Sequence, residues 1–145
     1  MKSIDQVQEE IIAEFSMLDG NLELTLDYLM ELGQRLETLE AEAHSDENLV
    51  KGCQSKVWLT ATLSGDNIEF KADSNTAITK GLVSLLIRIF TQQTPQAILD
   101  AEIFFPSRIG MERFIGTQRS NGFSSMIQQI KRYALAYKAK QELNI

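Results

Sequence analysis

Between residues 57 and 73 the hydrophobic period of this chain drops from about 3.6, that of a helix, to about 2, that of a strand. Val57, Leu59, Ala61 and Leu63 alternate with Trp58, Thr60 and Thr62. Ser64-Gly65-Asp66-Asn67 then supplies turn residues, and Ile68, Phe70 and Ala72 alternate with Glu69, Lys71 and Asp73. This pattern predicts one β-hairpin with a single apolar face. Two strands are marginal alone, so a third strand or a helix must cover that face. Leu49-Val50 is available as a short edge strand. Every other periodic segment is helical, so the expected class is α+β: a small antiparallel sheet packed against helices.

The helical segments carry their own punctuation. Ser3 with Gln6 forms a capping box, and Ile4, Val7, Ile11, Ile12, Phe15 and Leu18 follow as one stripe. Asp19-Gly20-Asn21 breaks that helix. A second helix has Leu22, Leu26, Tyr28, Leu29 and Leu32 facing inward and ends near Gly33. Residues 34–49 are polar and acidic and read as a long surface loop. After the hairpin, Ser74, Asn75 or Thr76 caps a helix expected to run to about Gln92, which Ile78, Leu82, Leu85, Leu86, Ile89 and Phe90 make the most buried. Thr94-Pro95 opens a short helix, because proline suits the first helical position. Phe104-Phe105-Pro106 reads as an apolar bend followed by a short helix over 107–115. Ser120 or Asn121 is expected to cap the last helix, with Phe123, Met126, Ile127, Ile130, Tyr133, Ala134 and Tyr137 on its buried stripe.

The chain has 145 residues, enough for one domain over 1–145. Its longest apolar-rich stretch, 82–90, contains Arg88 and is far short of a membrane span. No secretory leader is expected. Residues 1–50 carry 13 acidic and 2 basic side chains, whereas residues 51–145 carry 7 acidic and 12 basic. Such polarity reads either as two solvated faces or as steering toward a protein partner. Nucleic-acid binding is not expected from an acidic chain without a basic-aromatic platform.

Cys53 is the only cysteine. It follows Gly52, lies between Lys51 and Lys56, and directly precedes the alternating run. A free thiol without a disulfide framework suits a reducing cytoplasm. Its residue-level readings are a small buried hydrophobe or a reactive group. Lys51 or Lys56 would favour a thiolate if its ammonium lay within ~6 Å of the sulfur, as would amides of a tight Gly52-Cys53-Gln54 turn. Gln54 and Ser55 can hydrogen-bond the loop into place. His44, the only histidine, lies in the acidic loop without an evident third partner. It reads as an exposed side chain, so a cysteine hydrolase lacks its base. Ligand count and spacing argue against a metal site. Trp58 either packs under helices or helps wall a pocket.

Gly52-Cys53-Gln54-Ser55-Lys56-Val57-Trp58 resembles the signature of the SufE family, sulfur acceptors that partner cysteine desulfurases in iron–sulfur cluster assembly; the related CsdE-type acceptors share it. Glu31 to Leu36, Asp73 to Leu82 and Arg119-Ser120-Asn121-Gly122-Phe123 resemble three further family segments in the same order. Asn75 and Gly116-Thr117-Gln118 depart from the pattern. The resemblance implies a fold similar to the scaffold protein IscU and a single acceptor thiol, Cys53. Sulfur would come from a desulfurase of the SufS or CsdA type and pass as a persulfide to an iron–sulfur scaffold complex. Arg119 would lie near the acceptor surface. No cofactor, metal, nucleic acid or membrane is implied, and the chain would be a sulfur-transfer partner rather than a self-sufficient enzyme. The alternative is an adaptor or regulatory module of a desulfurase complex in which Cys53 is incidental.

Overall fold

The computed structural model describes residues 1–143. Helix α1 (Ile4–Ser16) begins at the expected capping box: Ser3 Oγ accepts from the Gln6 N–H, and Gln6 Oε1 accepts from the Ser3 N–H. Helix α2 (Leu22–Gln34) starts at Asn21, whose Oδ1 accepts from the Leu24 N–H. Its buried face is Thr25, Leu29 and Gly33. Leu22, expected inside, is 55% exposed at the corner of the helical pair. The face ends in glycine because α2 and helix α3 (Ala77–Phe90) cross closely. A methyl built on Gly33 would lie 2.8 Å from the Gly81 backbone nitrogen.

Residues 34–49 are less irregular than their composition suggests. Two 3-10 turns, Ala41–Ala43 and Asp46–Asn48, shape the segment, and Leu39 is buried. Strands β1 (Val57–Ser64) and β2 (Asn67–Ser74) form the expected antiparallel hairpin, with Leu59 opposite Ala72 and Ala61 opposite Phe70. Leu49 forms only an isolated bridge to Trp58 rather than a third strand.

Both sheet edges are nevertheless covered, which removes an open template for mispairing. Along β2, the Ile68 N–H donates to Gln93 O at 2.9 Å and the Gln92 N–H to Ile68 O at 2.7 Å. Along β1, the hydroxyls of Tyr133 and Tyr137 donate to the carbonyls of Leu59 and Ala61 at 3.4 and 3.0 Å. Burial fades toward the turn, and Leu63 is 42% exposed.

Helix α3 packs on α2, on β2 and on the last helix, and it is the centre of the core. Helix α4 (Pro95–Asp100) opens at Thr94, whose Oγ1 accepts from the Ala97 N–H. Helix α5 (Phe105–Ile109) ends at Gly110, and α6 (Met111–Glu142) follows at once. The expected cap at Ser120 or Asn121 is absent. Both residues lie inside α6, their carbonyls accepting from Ser124 Oγ and Ser125 Oγ. The break falls instead at Gly116, with φ 84° and ψ 169°, a conformation that glycine alone adopts readily. The observed class is α+β, as expected.

Candidate functional site

The neck of the Cys53 loop is closed by a strand-like bond, the buried Val50 donating its N–H to Val57 O at 2.8 Å. Beyond it the chain turns through Gly52 at φ +94°, a left-handed conformation that favours glycine. A Cβ there would lie 2.5 Å from Ser125 Oγ, so the loop passes directly over α6. Cys53 follows, partly buried. Its thiol donates to the carbonyl oxygen of Gly122 at 3.4 Å. Gly122 has no side chain to keep the loop away; a Cβ there would already sit 3.4 Å from Cys53 Sγ.

The loop's exit is fastened to the start of α3. The Lys56 N–H donates to Asn75 Oδ1 at 2.9 Å, and the Asn75 N–H donates back to Lys56 O at 3.2 Å. Ser55 Oγ lies 3.0 Å from Thr76 Oγ1 and accepts from the buried Thr79 hydroxyl at 3.3 Å. Cys53, Gln54 and Ser55 thus form one wall of a cavity of about 400 Å³. Thr79 and Leu82 of α3 form a second wall; Ile115, the 116–119 backbone turn and Met126 of α6 form the third.

Of the residues singled out in the sequence, the structure places Cys53, Gln54, Ser55 and Arg119 on one cavity, with Gly52 in the turn that leads to it. Arg119 lines the cavity from α6 and reaches back to Ile115 O at 3.4 Å. Among the described residues it makes no ion pair. Lys51 and Lys56 are exposed at either end of the loop and do not line the cavity. Burial pushes the Cys53 thiol above its ordinary range, with no neighbouring cation opposing it. The condition under which a lysine would favour the thiolate is therefore not met at rest; the resting group is a neutral thiol.

Trp58 is partly buried but does not line the cavity. It packs edge-on to His44, ring centroids 4.8 Å apart. His44 is also not the free loop side chain that the sequence suggests. Its Nε2 lies 2.7 Å from Asp73 Oδ2 and its Nδ1 2.9 Å from Glu40 O. Asn75, Thr79 and Gly122 escaped residue-level reasoning as parts of the site. They are polar or small residues on or beside helices, and only tertiary contact with the loop gives them a role. Among the described residues, no cluster of three or more His, Cys, Asp or Glu side chains could hold a metal ion, and no helix is long and apolar enough to cross a membrane.

The chain matches the family model for SufE, the Fe-S metabolism associated domain, over residues 9–134. An uncharacterized SufE-like protein of Rhizobium etli is 39% identical over 141 residues, which cover 92% of this chain and 90% of that protein. The solution structure of a hypothetical protein from Thermus thermophilus superposes with a TM-score of 0.71 at 18% identity, covering 90% of this chain and 96% of the other. That likeness concerns the fold. With a family match across nearly the whole length and a full-length relative, the chain belongs to the SufE family of iron–sulfur metabolism.

Proposed function

We propose that Cys53 is a persulfide acceptor that takes sulfur from a cysteine desulfurase of the SufS or CsdA type, stimulates that enzyme, and passes the sulfur to an iron–sulfur scaffold complex. The observation that carries the reading is the seating of the chain's sole thiol. It rests protonated against bare helix backbone, beside a cavity with room for a further sulfur atom.

The chemistry is an exchange between thiol and persulfide. The Cys53 thiol loses its proton to solvent or to a base of the desulfurase. Its thiolate attacks the outer sulfur of the enzyme's cysteine persulfide. A new S–S bond forms on Cys53, the old S–S bond breaks, and the enzyme's cysteine leaves as a thiolate. No electrons enter or leave the pair. No second cysteine in this chain can resolve the product as an internal disulfide, which suits a carrier.

The resting geometry opposes premature reaction, because a buried neutral thiol is a poor nucleophile. Docking must therefore lift the loop, with Gly52 as the pliant point and the bonds from Gly122, Thr79 and Asn75 as the fastenings that yield. Lys51 and Lys56 at the two ends of the loop and Arg119 on α6 are exposed cations that would steer an acidic partner surface. Substitution Cys53→Ser tests the reading. A carrier loses its ability to accelerate desulfurase turnover in the presence of a scaffold, whereas an adaptor with an incidental cysteine retains it.

A further inference from the structure

The environment of His44 carries an inference about the control of the Cys53 loop. Both ring nitrogens face acceptors: Nε2 the Asp73 carboxylate at 2.7 Å, Nδ1 the Glu40 carbonyl at 2.9 Å. A neutral imidazole has one N–H and one lone pair, so it cannot satisfy both. Only the imidazolium donates in both directions. Asp73 lies on β2, directly opposite Trp58 of β1, and the His44 ring packs against that indole in a T-shaped pair.

Asp73 is also a junction. Its Oδ1 accepts from the Ser74 N–H at 2.8 Å and pairs with Lys80 of α3 at 3.3 Å. Two residues on, Asn75 holds the exit of the Cys53 loop at Lys56. His44 belongs to the 3-10 segment that enters the loop through Leu49 and Val50. The exit of the loop is thus held at residue 75, and its entry, closed on β1 by the Val50–Val57 bond, is tied to residue 73 through the His44 side chain. Asp73 and Lys80 are the charged side chains that face this cluster, the one attracting the imidazolium and the other competing for the same carboxylate.

We propose that His44 is a positioning residue for the acceptor loop, an imidazolium clasp that fixes the loop's entry to Asp73 and whose loss frees Cys53 to leave its recess. The hydrogen bond to Asp73 raises the imidazole above its ordinary value, overcoming partial burial. The clasp is therefore complete below the ordinary histidine value, about 6.5, and opens as pH rises through the raised one. Its consequence for sulfur transfer rests on Cys53 being the acceptor; the clasp itself does not.

The chain has one tryptophan and one histidine, and a protonated imidazole against an indole quenches its emission. Trp58 fluorescence should rise through a single transition centred above the ordinary histidine value. Asp73→Asn should move that transition to lower pH, and His44→Gln should abolish it. At fixed pH below the transition, the purified His44→Gln chain should exchange amide hydrogens faster over residues 40–50. Its Cys53 should react with iodoacetamide roughly threefold faster, as a loosened local equilibrium allows. A transition at or below the ordinary histidine value, or an unchanged alkylation rate in His44→Gln, would overturn the clasp. None of these readouts needs a desulfurase, so failure of Cys53 to accept sulfur is a separate result.

Discussion

Cys53 Sγ lies 3.4 Å from the carbonyl oxygen of Gly122, a position on α6 that carries no side chain. The contact makes Gly122 the seat of the thiol. Gly122→Ala should fold and gain about 0.5–1 kcal/mol from helix propensity, since the added methyl meets Cys53 at ordinary contact distance. Gly122→Leu has no such room and should push the loop outward. Alkylation of Cys53 at neutral pH should then speed up while urea unfolding shows the fold intact.

Burial raises the Cys53 thiol, so its neutral form contributes stability. That contribution is present below the ordinary cysteine value and is lost as pH rises through the raised folded one. Iodoacetamide rates against pH should give a midpoint above that of the same chain in denaturant. In Gly122→Leu the midpoint should fall toward the denatured value.

The hairpin, its alternation and the capping signals at Ser3 and Thr94 were legible in the sequence because each is a local pattern with a local cause. Cys53 stood out in the sequence by its solitude and its neighbours, and its acceptor role is a proposal. The cap at Ser120 or Asn121 was misplaced because a polar pair resembles a helix start, while the true break depends on a backbone angle at Gly116. Leu22 obeyed the helical period but stands at a corner of the helical pair. His44 read as free because its partner, Asp73, is 29 residues away and only the hairpin brings it near. Burial, which sets the thiol's protonation, is likewise a property of the packed loop and α6; the charges of Lys51 and Lys56 do not reveal it.

Arg88 of α3 is the tie between that helix and α1, binding Glu14 through two nitrogens and Glu10 at 3.4 Å. The Arg88 bond holds the Glu14 carboxyl below the usual range despite burial. Burial and Glu14 together push Tyr28 up to about 12. Arg88→Met should cost about 1–2 kcal/mol in urea unfolding at neutral pH. The Glu14 contribution is present above the ordinary carboxylate value and lost as pH falls through the lowered one, so parent and variant should converge in acid. Cys53 alkylation should be unaffected.

Arg119 is exposed, and among the described residues its one polar contact is a long bond within its own helix. Arg119→Glu should change unfolding free energy by less than ~1 kcal/mol. On the carrier reading it should slow desulfurase stimulation and flatten its dependence on salt. A variant indistinguishable from the parent at every salt concentration would remove Arg119 from the docking surface.

The acceptor role of Cys53 is tested most directly by intact-mass and peptide mass spectrometry after incubation with a cysteine desulfurase and cysteine. A carrier gains the mass of one or more sulfur atoms, located on the peptide containing Cys53 and removed by a thiol reductant, while Cys53→Ser protein gains none. Sulfur found equally on the Cys53→Ser protein, or a parent chain that gains no sulfur while it accelerates the desulfurase, would contradict the persulfide-carrier mechanism.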